Sequence, residues 1–360
     1  MATSTATQFR WGIAGTGKIA SDFAAQVASI RGAKLCAVYS RDLANAERFR
    51  AAFGMERATD SFRQLIEGDA IDAVYFALPA AVHHDFALMA LEARKPLLCE
   101  KPFATTHAQA EAILNKARET NTFCMEAMWM RFSPIVQSIA GMVGGGKLGA
   151  IRAISINAGY ATPAARLADA DRGRGALLNF GVYGVSLAQM LLGKPKTVTA
   201  DIIRADSGLD TACALRLRYP DAFVNITASI EAELDNEAVI TGTHGRIRIR
   251  SPFFTPGFAE HTWFTPPAAD APLRKAKPNP AVPRIDKLPF LGLAQGAFWT
   301  DLLRRRGRLL IRRPGENGLR GEALETMDCV RSGKTESARM PHADTLAVAA
   351  ILDQARASSV

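Results

Sequence analysis

Cysteine is scarce and scattered in this sequence. Cys36, Cys99, Cys124, Cys213 and Cys329 are odd in number and form no CxxC pair and no Cys/His cluster with zinc spacing. Neither a disulfide scaffold nor a structural zinc site is therefore expected, and a reducing compartment fits best. No apolar run approaches the roughly 18 uninterrupted residues of a membrane span. The first nine residues, MATSTATQF, lack the basic start and apolar core of a secretion signal. The expected location is the cytoplasm, with no membrane partner. No repeat of solenoid or propeller period is visible either.

What is present describes a packed protein. At 360 residues, two domains are the starting expectation, and 48% hydrophobic with 22% charged residues lies in the globular range. The net charge of +9 and the cluster Arg304, Arg305, Arg306, Arg308, Arg312 and Arg313 invite a nucleic-acid reading. The cluster lacks interleaved aromatics and a recognition motif, so it reads instead as a solvated helix face followed by a loop, with no nucleic-acid partner expected.

From Phe9 to about Met125, short apolar runs (FRWGIAG, AKLCAVYS, IDAVYFALP, KPLLCE, NTFCMEA) alternate with stretches of helical spacing. That alternation predicts an α/β fold, a doubly wound parallel sheet over residues 1–125. Residues 126–360 change texture. IRAISINAGY, TVTADIIRA, TACALRLRYP, AFVNITASIEA and GRIRIRS read as strands of a largely antiparallel sheet. Helices are expected at about 177–192 and, closing the chain, about 342–357, giving an α+β second domain. Seven prolines between Thr265 and Phe290 predict an irregular loop over 265–290.

GIAGTGKIA follows a strand and opens a helix, the context in which GxGxxG/A carries meaning. Gly15 suits the tight turn, Gly17 lets the backbone approach a pyrophosphate, and the residues around them, Thr16, Lys18 and Ile19, open a helix whose amides attract anions. At the end of the second strand stand Ser40 and Arg41, a hydroxyl and a guanidinium suited to a 2′-phosphate, so NADP is favoured with NAD possible. Asp42 is the competing detail, able to bind ribose hydroxyls or to cap the next helix. The ALP strand end offers Leu78 and Pro79, and strand four ends in Glu100-Lys101-Pro102, charges placed at the carboxyl edge where ligands of open sheets bind.

These strings, with AAVHHDFALMALEARKPLLCEKPF, EAMWMRFSP, GALLNFGVYGVSLAQMLLG and MPHADTLAVAAILDQAR, resemble the glucose-fructose oxidoreductase/inositol dehydrogenase (Gfo/Idh/MocA) family over most of the chain outside 252–317. EAMWMRFSP looks most like the branch of dimeric dihydrodiol and NADP-linked xylose dehydrogenases. The resemblance implies hydride transfer between NADP(H) and a sugar, polyol or cyclic diol. It also implies Lys101 as the active-site lysine, Tyr183 as the general acid/base, and a homodimer or higher assembly through the C-terminal sheet. A phenol with a pKa of about 10 is a poor base near neutrality, so a neighbouring ammonium makes chemical sense. One departure stands out: the family string usually has aspartate where this chain has Asn179, which cannot ionise.

His83 is expected beside the cofactor. Trp129, Arg131 and Phe132 are expected either to line the substrate pocket or to pack a hinge, and Arg166 either to meet a substrate hydroxyl or to sit on the surface. No metal is expected. The alternative to an enzyme is a dinucleotide-binding regulator of the same fold.

Overall fold

The computed structural model describes residues 8–163, 175–264, 307–311 and 317–358. The first layer is built from β1 (Phe9–Ala14), α1 (Lys18–Ala28), β2 (Ala33–Tyr39), α2 (Leu43–Phe53), β3 (Arg57–Thr59), α3 (Phe62–Ile66), β4 (Ala73–Phe76), α4 (His83–Glu92), β5 (Leu97–Glu100), α5 (His107–Glu119) and β6 (Cys124–Ala127). The strands form one parallel sheet in the order β3-β2-β1-β4-β5-β6. β4, β5 and β6 are buried throughout, as strands covered by helices on both faces must be. The order reverses between β1 and β4, and the crevice at that switch point is where a doubly wound sheet binds its ligand.

β6 carries the sheet on to Ala127, across the expected division at 125. After α6 (Pro134–Gly144) and β7 (Ile151–Gly159), a π-helical turn, Leu177–Gly181, leads into α7 (Val182–Leu192). Then come β8 (Thr197–Arg204), β9 (Asp210–Arg218), β10 (Phe223–Ser229), β11 (Ala238–Gly242), β12 (Gly245–Ile249), β13 (Phe258–Trp263) and β14 (Gly307–Ile311). With β7 these form an eight-stranded sheet, β14-β13-β12-β11-β7-β10-β9-β8, in which β7 and β10 run parallel and every other pairing is antiparallel. Strand β9 shows why one face is buried. Cys213, Leu215 and Leu217 point inward, while Ala214, Arg216 and Arg218 point out.

Helix α7 lies on the inner face, where Gly184 allows close approach: a Cβ there would come 2.8 Å from Ile226 of β10. The last two helices, α8 (Gly318–Arg331) and α9 (His342–Ala357), turn back onto the first layer. α8 packs on α1 and on the short turn Trp129–Phe132, while α9 touches α5, α7 and β8. His342 Nε2 meets the Cys124 carbonyl at 2.8 Å, and Thr345 donates to Glu126 at 3.1 Å, so the chain end fastens the sixth strand.

The basic cluster is corrected in part. Residues 307–311, expected to lie in a helix face or loop, pair as an edge strand with β13, where Leu310 packs against the core and Leu309 and Ile311 face out. The rest of that cluster, the expected loop 265–290 and Arg166 lie outside the described residues. No helix among the described residues is long and apolar enough to cross a membrane.

Candidate active site

A cleft of about 790 Å³ opens at the carboxyl edge of the parallel sheet. One end is the β1–α1 turn. Gly15 has φ +109° and faces the Ala77 backbone so closely that any side chain would collide with it. A Cβ on Gly17 would meet nothing within 4 Å, so its backbone is open to the cleft. Gly17 also serves as the N-cap of α1 with no side chain capping the first turn. The amides there remain for an anion, and the residues present fit a dinucleotide pyrophosphate.

Thr16, Lys18, Ile19, Ser40, Arg41, Leu78, Pro79, Glu100 and Lys101 line the same cleft, as their positions in the sequence led one to expect. Asp42 does not reach it. Its carboxylate caps α2, accepting from Ala44 N at 2.9 Å and from Asn45 Nδ2 at 2.8 Å. Arg41 and Asn45 are left facing the adenine-ribose end without a carboxylate on that turn to bind ribose hydroxyls. Asn45 and Asp22 were not foreseen. Asp22 lies one helical turn from Lys18, ion-paired with it at 2.7 Å.

At the other end Lys101 reaches across from β5 to the π-helical turn. Its Nζ donates to the Asn179 carbonyl at 2.9 Å and to Asn179 Oδ1 at 3.3 Å, and sits 4.6 Å from the centre of the Tyr183 ring. That turn is fixed from beneath, where Asp210 accepts from Leu177 N at 2.7 Å. Burial lowers the Lys101 amine from the usual lysine range to about 8, against the attraction of Glu100 and Glu126. Burial pushes the Tyr183 phenol well above its ordinary value, and the negative charge of Glu100 adds to this. Glu100 is itself raised to about 7 by burial, although Tyr75 donates to it at 2.5 Å and the Lys101 amide at 3.1 Å.

Aromatic rings close this end. Tyr183 stacks on Phe254 with centres 4.7 Å apart and an interplanar angle of 16°, and Trp129 lies 6.5 Å from Phe254 at 13° and 6.4 Å from Tyr183 at 29°. Tyr160 and Phe180 complete the wall. Tyr160, Phe180 and Phe254 were missed. The only signal available was aromatic residues following strand-like runs, which more often means core.

Three expected site residues stand elsewhere. Arg131 is 1% exposed and spends its donors on Ser186 Oγ (2.9 Å), the Ser186 carbonyl (3.0 Å) and the Asp344 carboxylate, tying α7 to α9. Phe132 is buried beneath the Arg339 guanidinium, 4.7 Å from its ring centre. Of the tight turn Trp129–Phe132, Trp129 lines the cleft, while Arg131 and Phe132 are packed away from it. His83 is also buried, between the Leu78 carbonyl at 2.9 Å and the Pro102 carbonyl at 3.0 Å. It braces the two strand ends beneath the cleft, and burial lowers its pKa.

A 3-2-1-4-5-6 parallel sheet, an uncapped glycine turn at its switch point and a lysine-tyrosine pair across the crevice define a nicotinamide-dinucleotide oxidoreductase. The Gfo/Idh/MocA oxidoreductase family, described as an NAD-binding Rossmann fold, matches residues 9–128, and its C-terminal domain matches residues 136–248. A trans-1,2-dihydrobenzene-1,2-diol dehydrogenase from Danio rerio is 30% identical over 96% of both chains. The chain belongs to this family. Among solved structures, KijD10, a 3-ketoreductase from Actinomadura kijaniata in complex with NADP and TDP-benzene, superposes with TM-score 0.79 over 98% of both chains at 22% identity. The aldose-aldose oxidoreductase from Caulobacter crescentus gives 0.78 at 19% identity, over 98% of this chain and 97% of its own.

Removing the Arg131 guanidinium empties a buried site, takes a partner from the buried Ser186 and leaves the half-buried Asp344, among the described residues, with only Gln189 at 3.5 Å. Arg131→Ala is expected to cost about 3–5 kcal/mol in denaturant unfolding. KM measured on the fraction that remains folded should stay near the wild-type value, whereas a large KM change at unaltered stability would return Arg131 to the substrate pocket.

Proposed function

We propose that the chain interconverts a secondary alcohol and its carbonyl on a sugar, polyol or cyclic diol, with NADP(H) as hydride carrier. The observation that carries this reading is the meeting of Lys101, Asn179 and Tyr183 at one end of a cleft whose other end holds the glycine turn and Arg41. Relatives named as diol dehydrogenase and ketoreductase, the latter solved with NADP, support it.

When bound, the nicotinamide supplies or accepts the hydride. The chain does the rest. Amides from Thr16 to Ile19 would hold the pyrophosphate, the Gly15 amide being bonded to the Tyr39 carbonyl at 2.8 Å, and Ser40, Arg41 and Asn45 would hold the 2′-phosphate through charge-assisted hydrogen bonds. The Tyr183 hydroxyl, protonated at neutral pH, donates its proton to the carbonyl oxygen in reduction and takes one back in oxidation. The Lys101 ammonium stabilises the phenolate formed in the first case, and the aromatic wall keeps water away from it. The regulator alternative gains nothing from the described part of the basic cluster, which is a sheet edge.

Arg41→Ala should weaken NADP by about 1.5–3 kcal/mol, the range for a hydrogen bond to a charged group, and weaken NAD far less. Calorimetric titration of both cofactors checks this, and equal losses would discard the 2′-phosphate assignment.

Lys101 and Tyr183 act as one unit in this scheme, so their losses should not add. Tyr183→Phe should abolish most turnover with cofactor binding intact. Lys101→Met should do comparable damage, and the double variant should be little worse than either. The measurement is nicotinamide absorbance across aldoses, polyols and trans-diols. Near-normal turnover by Tyr183→Phe would reject the scheme.

The reading extends to assembly. The outer face of the eight-stranded sheet exposes Ile203 and Phe223 toward one side and Phe258, Leu309 and Ile311 at the other, with Ile311 67% exposed. This face suits a homo-oligomer. A double variant, Ile203→Asp with Phe223→Asp, should sediment as a smaller species than the wild type, and an unchanged wild-type oligomer would move the interface elsewhere.

A further inference from the structure

Lys101 is held unusually for a partly buried cation. Its two hydrogen bonds go to neutral oxygens of one residue, the Asn179 carbonyl at 2.9 Å and the Asn179 side-chain amide at 3.3 Å. Among the described residues no carboxylate forms an ion pair with it. Its neighbours are few and known. Glu100 on β5 turns its oxygens to Tyr75 and to the Lys101 amide, so it attracts the ammonium without contacting it. Glu126 on β6 is occupied by Phe103 N at 3.3 Å and Thr345 at 3.1 Å. Tyr183 on α7 offers the face of its ring. Glu322 on α8 is buried without a hydrogen-bond partner among the described residues and, raised by burial and by Glu100, does not contact the amine.

We propose that Asn179 is a positioning residue that sets the proton affinity of Lys101: holding the amine through two neutral oxygens, it leaves the charge adjustable instead of locking it in an ion pair. The inference rests on the function proposed above for its consequence in turnover, although the proton affinity itself does not depend on that function.

The geometry supplies the comparison. An aspartate has the reach of this asparagine and would put a formal negative charge where Oδ1 now lies. An opposite charge at such a distance stabilises the ammonium by about one to three pH units. As it stands, burial leaves the amine titrating near 8. The ammonium is present below that point and lost above it, so a step that needs the cation should fade as pH rises through about 8. Asn179→Asp should move that limb upward. Asn179→Leu, which keeps the carbonyl acceptor and removes Oδ1, should move it down, because one bond to the charged form is gone.

The test has two readouts. In the apoenzyme, the rate at which acetic anhydride labels Lys101, read by peptide mass spectrometry against pH, gives the titration midpoint without any turnover. The expected midpoints rank Asn179→Leu below wild type and wild type below Asn179→Asp, the last separated by about one unit or more. If either folded variant titrates with the wild type, the proposal is overturned. If one variant does not fold, the other decides. The second readout is the pH profile of turnover. Limbs that follow the labelling midpoints support the proposal together with the role of Lys101. Midpoints that move while the profile stays fixed still support the assignment to Asn179, and count instead against Lys101 as the catalytic cation.

Discussion

A cation drawn out of water at the end of a β-strand is the constraint around which the rest of this molecule is arranged. An ammonium in such a place is costly unless polar oxygens surround it. Lys101 can find those oxygens only across the crevice, on the turn before α7. One side chain of the first layer therefore depends on the backbone of the second. The π-helical form of Leu177–Gly181 belongs to that arrangement, because π turns place backbone groups where a regular helix would not. Its anchoring by Asp210 extends the dependence to the start of β9.

Behind the lysine lie three buried carboxyl groups, and their environments separate them. Glu100 and Glu126 are hydrogen-bonded and pushed up only to about 7 each. Glu322 is fully buried with neither oxygen bonded to a partner among the described residues, and burial, reinforced by Glu100, drives it far above the carboxylate range. A neutral Glu322 follows from that cost. The negative charge near Lys101 is thus fractional, enough to favour the ammonium and too little to hold it firmly. Burial, with Glu100 and Glu322 adding to it, holds the Tyr183 phenol well above its ordinary range, so it stays protonated.

How much of this could be read in the sequence divides along the range of the interactions. Gly17 and Asp42 act within their own turns, and the sequence around them carries their roles. The strand end that presents Lys101 is equally local, and so is the alternation that marks β9. Arg131 and His83 were harder, because which way a charged side chain leaves a short turn depends on partners more than fifty residues away in one case and on two strand ends in the other. β11, β13 and α8 were passed over for a related reason. AVITG and FAEHTW are too short or too polar to stand out as strands, and α8 mixes Gly318 and Gly321 into a helix. Those glycines weaken its helical signal. Gly321 nevertheless lets α8 lie against Phe132, where a Cβ would come within 2.9 Å.

The aromatic wall has the same origin and a chemical consequence. Trp129, Tyr160, Phe180 with Tyr183, and Phe254 come from four separate stretches, brought together where the second sheet meets the edge of the first. Ring faces supply area and exclude water, but they offer few directed hydrogen bonds. On the function proposed above, a substrate between them would be held in place by shape and aligned by few polar groups, namely the Lys101 amine, the Asn179 side chain and the Tyr183 hydroxyl. Those groups would then have to orient the reacting carbon as well as manage its proton.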